Sequence, residues 1–252
     1  MGAFEAAFDM TGKTVLVTGA AAGIGRAMAG AFAARGAHLA LIDRDEAVHA
    51  TAASLGDGHL SVTADVSVAP AVEAAVAQTI ERFGAIDVLI NNAGIVRLDA
   101  AVDTSEADWD ATMAVNLKAP FLVAKAVGRA MIARGKGGRI VNMASQAAVV
   151  ALDRHLAYCT SKAGILGLTR VLALEWARQG ITVNAISPTV VETELGRKAW
   201  AGAVGEAMKQ KIPTGRFAQP EEIAMAALYL ASGAAAMVTG ENLVIDGGYT
   251  IG

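Results

Sequence analysis

Cysteine is almost missing from this chain: Cys159 is the only one, so neither an internal disulfide nor a zinc site built on thiolates is available. Histidine is equally thin. His38, His49, His59 and His155 are scattered and form no ligand-like cluster with carboxylates, so no metal is expected. Basic charge is also in short supply, with 21 Lys and Arg against 24 Asp and Glu for a net charge of −3 and a pI near 5.8. That balance gives no footprint for nucleic acid or for an anionic membrane surface. Mean hydropathy is high at +0.44, yet no apolar run reaches the roughly 18 to 20 residues that cross a bilayer. Gly, Asp, Lys or Arg interrupts each one. Residues 1–10 show no charged stretch followed by an apolar core, and no Pro/Ser-rich linker, charge block or repeat divides the 252 residues. The expectation is one domain spanning 1–252, in a reduced, cytoplasmic setting, acting on a small molecule.

What the chain does have is a regular alternation. Short Val/Ile/Leu-rich runs at 14–18, 39–43, 60–64, 88–91, 139–143, 181–186 and 243–246 are separated by longer Ala-rich stretches, with helices expected at 25–35, 68–83, 105–134, 155–179 and 220–232. The runs are continuously apolar rather than alternating, which means that both faces of each strand are covered. A doubly wound α/β fold of the Rossmann type follows, with a seven-stranded parallel sheet and helices on both faces. The segment 188–220, which mixes Trp200 with glycines and charges, differs in texture and is expected to form a substrate loop or lid.

Two motifs carry chemistry. The first strand runs into Thr18-Gly-Ala-Ala-Ala-Gly-Ile-Gly25 and a helix starts at once, the context that a dinucleotide fingerprint needs. Gly19 permits the tight turn, Gly23 lets the backbone approach a diphosphate, and Gly25 allows the helix to pack close to the sheet. The N–H groups of the helix start then face the phosphates. Asp43 ends the second strand about 20 residues on, where its carboxylate accepts from ribose hydroxyls and repels a 2′-phosphate, while Ala22 supplies no base to hold one. NAD is favoured over NADP. The second motif is Tyr158 with Lys162, an i, i+4 pair on one helix face, in which an ammonium beside a phenol favours the phenolate.

With these residues the chain resembles the short-chain dehydrogenase/reductase family along essentially its whole length. The likeness covers the turn at 18–25, Asp65-Val66, Asn91-Asn92-Ala93-Gly94, Asn116, Ser145, Tyr158 with Lys162, and 188–193. The resemblance implies that Asp65 and Val66 contact adenine and that Ala22, Ile24, Asn92, Ala93 and Gly94 lie along the cofactor. It places Val191 and Thr193 at the carboxamide and Pro188 among the cofactor contacts. It makes Tyr158 the general acid/base, has Lys162 lower the Tyr158 pKa and bind the nicotinamide ribose, sets Ser145 at the reacting oxygen, and has Asn116 hold a water in a proton relay. A family dimer through 105–134 and 155–179, completed to a homotetramer by 238–252, is implied as well.

One departure is informative. The family usually has Pro-Gly after its sixth strand, whereas here Thr189 follows Pro188, and threonine does not reach positive φ as cheaply as glycine. Together with the segments at 142–146, 151–155 and 196–202, this resembles a polyol-oxidising subgroup whose substrates are D-threitol- or D-arabitol-like. Gln146 and His155 are then the candidate substrate contacts, beside Ser145 and Tyr158, for a polyol and its ketose. Two alternatives stay open: reduction of a 3-oxoacyl thioester or hydroxysteroid in the same family, and a non-catalytic dinucleotide sensor.

Overall fold

The computed structural model describes residues 3–252, apart from the side chains of residues 3, 4, 195, 198 and 199; Met1 and Gly2, the start of the segment read for a leader, lie outside the described residues. Seven strands form one sheet: β1 (Thr14–Thr18), β2 (His38–Asp43), β3 (Leu60–Thr63), β4 (Val88–Asn91), β5 (Gly138–Met143), β6 (Ile181–Pro188) and β7 (Asn242–Ile245). Every pairing is parallel and the order is β3-β2-β1-β4-β5-β6-β7. The continuous apolar runs are explained directly, because all residues of β1, β4 and β6 are buried while the edge strands β3 and β7 are half-open.

Among the described residues ten α-helices accompany the sheet: α1 (Ala3–Ala7), α2 (Gly23–Ala33), α3 (Ala47–Ser54), α4 (Ala69–Phe83), α5 (Glu106–Met113), α6 (Ala119–Arg134), α7 (Leu156–Trp176), α8 (Glu194–Ala199), α9 (Ala203–Lys209) and α10 (Pro220–Ala231). Alternation along each strand divides the core in two. Val15, Val17, Leu39, Leu41 and Ile90 point to the face under α2 and α10, where Met28, Phe32, Ile223 and Leu228 pack on them. Leu16, Ile42, Leu89 and Ile140 point to the other face, under Val76 of α4 and Val123, Val127 and Met131 of α6. Each such fully buried Leu, Ile or Phe contributes about 1.5–3 kcal/mol relative to an exposed one.

The helix expected over 105–134 is not continuous. A π-helical turn, Ala114–Lys118, separates α5 from α6, and Pro120 sits in the first turn of α6. Proline has no N–H to give the carbonyl four residues back, which is that of Asn116, and its ring pushes that carbonyl away, so the helix widens here. α3 was not expected, and the segment 188–220 contains the two short helices α8 and α9. Its ends are clasped by N–H donation from Ala218 to Val190 O (3.0 Å) and from Glu192 to Ala218 O (2.8 Å). Arg216 adds a two-pronged pair with Glu222 at 2.7 and 2.6 Å. Among the described residues no helix is long and apolar enough to cross a membrane.

Candidate active site

The strand order reverses between β1 and β4, and the crevice beyond their C-terminal ends is where open α/β sheets bind ligands. The glycine turn occupies one lip. Gly19 and Gly23 take φ of +67° and +55°, values that favour glycine. A Cβ on Gly25 would lie 2.0 Å from Gly19 O and 2.6 Å from Asn92 Nδ2. Gly25 is therefore required by the turn itself, a closer constraint than helix-to-sheet packing. Asn92 closes this lip by donating to Thr18 O at 3.0 Å and Gly19 O at 2.9 Å, while Thr18 Oγ1 accepts from Asn92 N and Ala93 N. Asp43 stands beside the turn and accepts from Ala21 N at 2.9 Å and Asp45 N at 3.0 Å. Ala22 is extended and caps α2 without a side-chain bond, leaving the helix start open toward the crevice. Positive-φ glycines, an uncapped helix start and a carboxylate at the end of β2 suit a dinucleotide diphosphate and ribose. Asp65, whose carboxylate is held low by donation from the Ser67 hydroxyl and N–H, lies exposed after β3, and Val66 is buried in the core beside it.

On the other lip, β5 delivers Ser145 and α7 delivers Tyr158 and Lys162. Ser145 caps the 3₁₀ turn Gln146–Ala148, and its Oγ accepts from Ala147 N at 3.1 Å. Lys162 is buried and donates to Met143 O at 2.7 Å, and its Nζ is 5.8 Å from the Tyr158 ring centre. The expected electrostatics differ here. Burial raises the Tyr158 phenol above its ordinary value, and hydrogen bonding to Ser145 opposes that rise. The ammonium is itself desolvated, which lowers its pKa from 10.5 to about 8, and it donates one hydrogen bond to the Met143 carbonyl.

Asn116 is fully buried in the π turn. It accepts from Ile95 N at 2.8 Å and donates to Ile95 O at 2.8 Å and to Ser161 Oγ at 3.2 Å; Ser161 donates in turn to Tyr158 O at 2.8 Å. Ser161 is thus a link between the π turn and α7 that sequence reasoning missed, although it stands immediately before Lys162. Gln146 is buried with Oε1 unpartnered. The His155 Nδ1 is 2.5 Å from Asp153 O and so carries the proton of that bond, which leaves Nε2 to accept from a ligand when the ring is neutral. Its ring meets Tyr158 edge-on at 6.0 Å.

A cleft of about 860 Å³ joins the two lips. Ile24, Asn92, Gly94, Ser145, Gln146, His155, Tyr158, Lys162, Pro188, Val191 and Thr193 all line it. Gly19, Ala22, Gly23, Gly25, Asp43, Asp65, Val66, Ala93 and Asn116 do not. Gly23 lies close to the cleft, since a Cβ there would come 3.2 Å from Thr193 Cγ2. Asp153, Thr189, Val204, Met208, Lys211 and Tyr249 also line the cleft and had not been selected. Trp200, read only as part of the loop, is a wall residue packed against Phe217 at 6.1 Å. Thr189 had been marked only as a departure from the family's usual glycine; the others belong to no motif with a local spacing, so no signal in the sequence marked them.

A family model described as "Enoyl-(Acyl carrier protein) reductase" matches residues 19–250. The chain is 54% identical over 249 residues to an NAD-dependent glycerol dehydrogenase of Listeria innocua, covering 98% of each. It is 55% identical over 248 residues to a D-threitol dehydrogenase of Mycolicibacterium smegmatis, covering 97% of this chain and 95% of that one. A crystal structure of a short-chain type dehydrogenase/reductase from Mycobacterium marinum superposes with a TM-score of 0.92 at 37% identity, covering 98% of both chains. The chain belongs to the short-chain dehydrogenase/reductase family.

For a short-chain dehydrogenase/reductase the buried lysine has a measurable thermodynamic signature. Its folded pKa of about 8 lies below the ordinary 10.5, so between those pH values the unfolded chain binds more protons, and stability rises with pH across that window and is flat below it. Lys162→Met removes the buried charge while keeping an unbranched chain. The variant is expected to be no less stable than the parent at pH 7, with its relative advantage shrinking from pH 8 to 10 in thermal denaturation. A difference in Tm that stays constant over that range would contradict the burial penalty.

Proposed function

We propose that this dehydrogenase uses NAD to interconvert a secondary alcohol of a small polyol, D-threitol- or D-arabitol-like, and the corresponding ketose. A nicotinamide dinucleotide supplies the hydride acceptor in oxidation and the donor in reduction. In oxidation, Tyr158 takes the hydroxyl proton as the carbinol hydrogen departs as hydride; in reduction it returns that proton to the forming alkoxide. Ser145 holds the reacting oxygen, Lys162 keeps positive charge near Tyr158 and meets the nicotinamide ribose, and Asn116 fixes the π turn at the start of a proton path. Gly19, Ala22, Gly23, Ile24 and Gly25 cradle the diphosphate, and Asp43 accepts from the adenosine ribose. Asp65, Val66, Asn92, Ala93, Gly94, Pro188, Val191 and Thr193 hold the rest of the cofactor.

The observation that carries the polyol reading is Gln146: a buried amide oxygen without a protein partner, in the same cleft as Ser145 and Tyr158. A site with unpaired buried polar groups favours a ligand that brings several hydroxyls and rejects an apolar alcohol. His155 Nε2 is available for the same purpose. The two relatives named for glycerol and D-threitol support this substrate class. Exposed Val171 and Leu174 on α7, with Ile251 near the C-terminus, support a homotetramer; single-domain, cytoplasmic subunits in which 188–220 closes the substrate side complete this reading.

A second reading, reduction of an acyl or steroid ketone, draws on the apolar wall of Ile95, Val96, Trp200, Val204 and Met208. Absorbance of NADH, recorded with NAD and NADP in parallel against tetritols, pentitols, hexitols and simple secondary alcohols, separates the two. Turnover of a tetritol or pentitol with NAD at least tenfold above NADP is expected. Silence on every polyol, with reduction of acyl or steroid ketones, would replace the first reading by the second.

A further inference from the structure

Thr189 is the first residue beyond β6, and its N–H donates to Ile245 O at 3.0 Å, so the chain is still in sheet register there. It does not take the positive φ that a glycine at this position would permit: among the described residues Arg154 is the only non-glycine with positive φ. The threonine is therefore unstrained, and its side chain needs another explanation. It is 7% exposed, lines the cleft, and its Oγ1 has no partner. Of the buried side-chain polar atoms without partners among the described residues, only those of Gln146 and Thr189 belong to the cleft. A buried hydroxyl that bonds to nothing in the protein weakens the fold relative to an apolar group of the same shape. Folding alone would favour valine at this position.

We propose that Thr189 is a specificity-determining residue whose hydroxyl hydrogen-bonds a substrate hydroxyl away from the reacting carbon. It shares the polyol with Gln146, the two side chains standing at the exits of the neighbouring strands β6 and β5. This inference rests on the polyol reading above. It also gives the departure from the family's usual glycine a chemical purpose, since glycine would leave this stretch of the wall without a hydroxyl.

Thr189→Val keeps the shape and removes the hydroxyl, Thr189→Ala removes it without any risk of crowding, and Thr189→Ser keeps it. The Val and Ala variants are expected to lose about tenfold in kcat/KM for the best tetritol or pentitol, mostly through KM, with Ser within about threefold of the parent. NADH binding, followed by fluorescence, is expected to stay within twofold, and the Tm of the Val variant is expected to be no lower than that of the parent. Unchanged kcat/KM in both Val and Ala variants overturns the assignment of Thr189 alone. Weakened NADH binding assigns the hydroxyl to the cofactor and also overturns it, as does a fall in Tm that Ser reverses without restoring KM. A parent enzyme that turns over no polyol overturns the polyol reading, and this inference with it.

Discussion

Tyr158→Phe is expected to lower turnover by about 10³-fold while NADH binding stays within twofold of the parent. In the proposed mechanism the phenol oxygen exchanges a proton with the substrate; it is hydrogen-bonded to Ser145 and half-buried in the cleft wall, and a positioned acid or base typically contributes 10²- to 10⁴-fold. The ring that packs against His155 remains in the variant, so a general loss of structure is not expected. The pH dependence has a defined sign. Because burial raises the phenol, it is protonated at neutral pH and ready to act as an acid, so kcat/KM for ketone reduction is expected to be level near neutrality. Oxidation needs the phenolate and is expected to speed up as pH rises. Stopped-flow absorbance in both directions measures this, and turnover within tenfold of the parent in the Phe variant would remove Tyr158 from the mechanism.

Gly25→Ala is expected to have the largest effect on the fold. The new methyl would lie 2.0 Å from Gly19 O, a backbone atom that already accepts from Asn92 Nδ2 at 2.9 Å, and 2.6 Å from that same amide nitrogen. Nothing flexible is available to yield, so the turn must open and the Asn92 clamp must break. Overpacking of this severity costs about 3 kcal/mol, a fall in Tm of about 6–12 °C for a chain of this size. Calorimetry with and without NADH is expected to show that fall together with loss of the ligand-induced rise in Tm. An alanine variant with the parent's Tm and NADH affinity would show that the lip tolerates displacement.

The sheet was legible in the sequence because parallel strands buried on both faces must be apolar throughout, as Val15, Leu16 and Val17 are. The site was legible where it depends on local spacing: the turn at Gly19, Gly23 and Gly25, and the i, i+4 pair Tyr158 and Lys162. What escaped depends on packing between distant segments. α3 buries only Val48, Thr51 and Ala52, too little for a periodic signal. The break at Asn116 did have a signal, Pro120 four residues on, which an Ala-rich helical pattern concealed. The direction in which the Lys162 ammonium points is set by Met143 O on a neighbouring strand, and no spacing encodes it. Tyr249 reaches the cleft only because Asp246 folds the C-terminus back, accepting from Gly248 N and Thr250 N.

The two-sided core has a consequence for how damage spreads. Phe32 and Met28 beneath α2 belong to one apolar body, and Val127 and Met131 on α6 to another, with the sheet between them. Truncations on opposite sides share no packing partners, so their costs add to within about 0.5 kcal/mol, whereas truncations on one side couple. The glycine turn rests on the first body through Ala20, Ala21 and Ile24, whereas the π turn packs through Leu117 on a smaller, third body of Ala144, Ile165, Leu166 and Ala185. The separation acts as a firewall: a residue lost from the body beneath the glycine turn leaves the packing beneath the π turn intact.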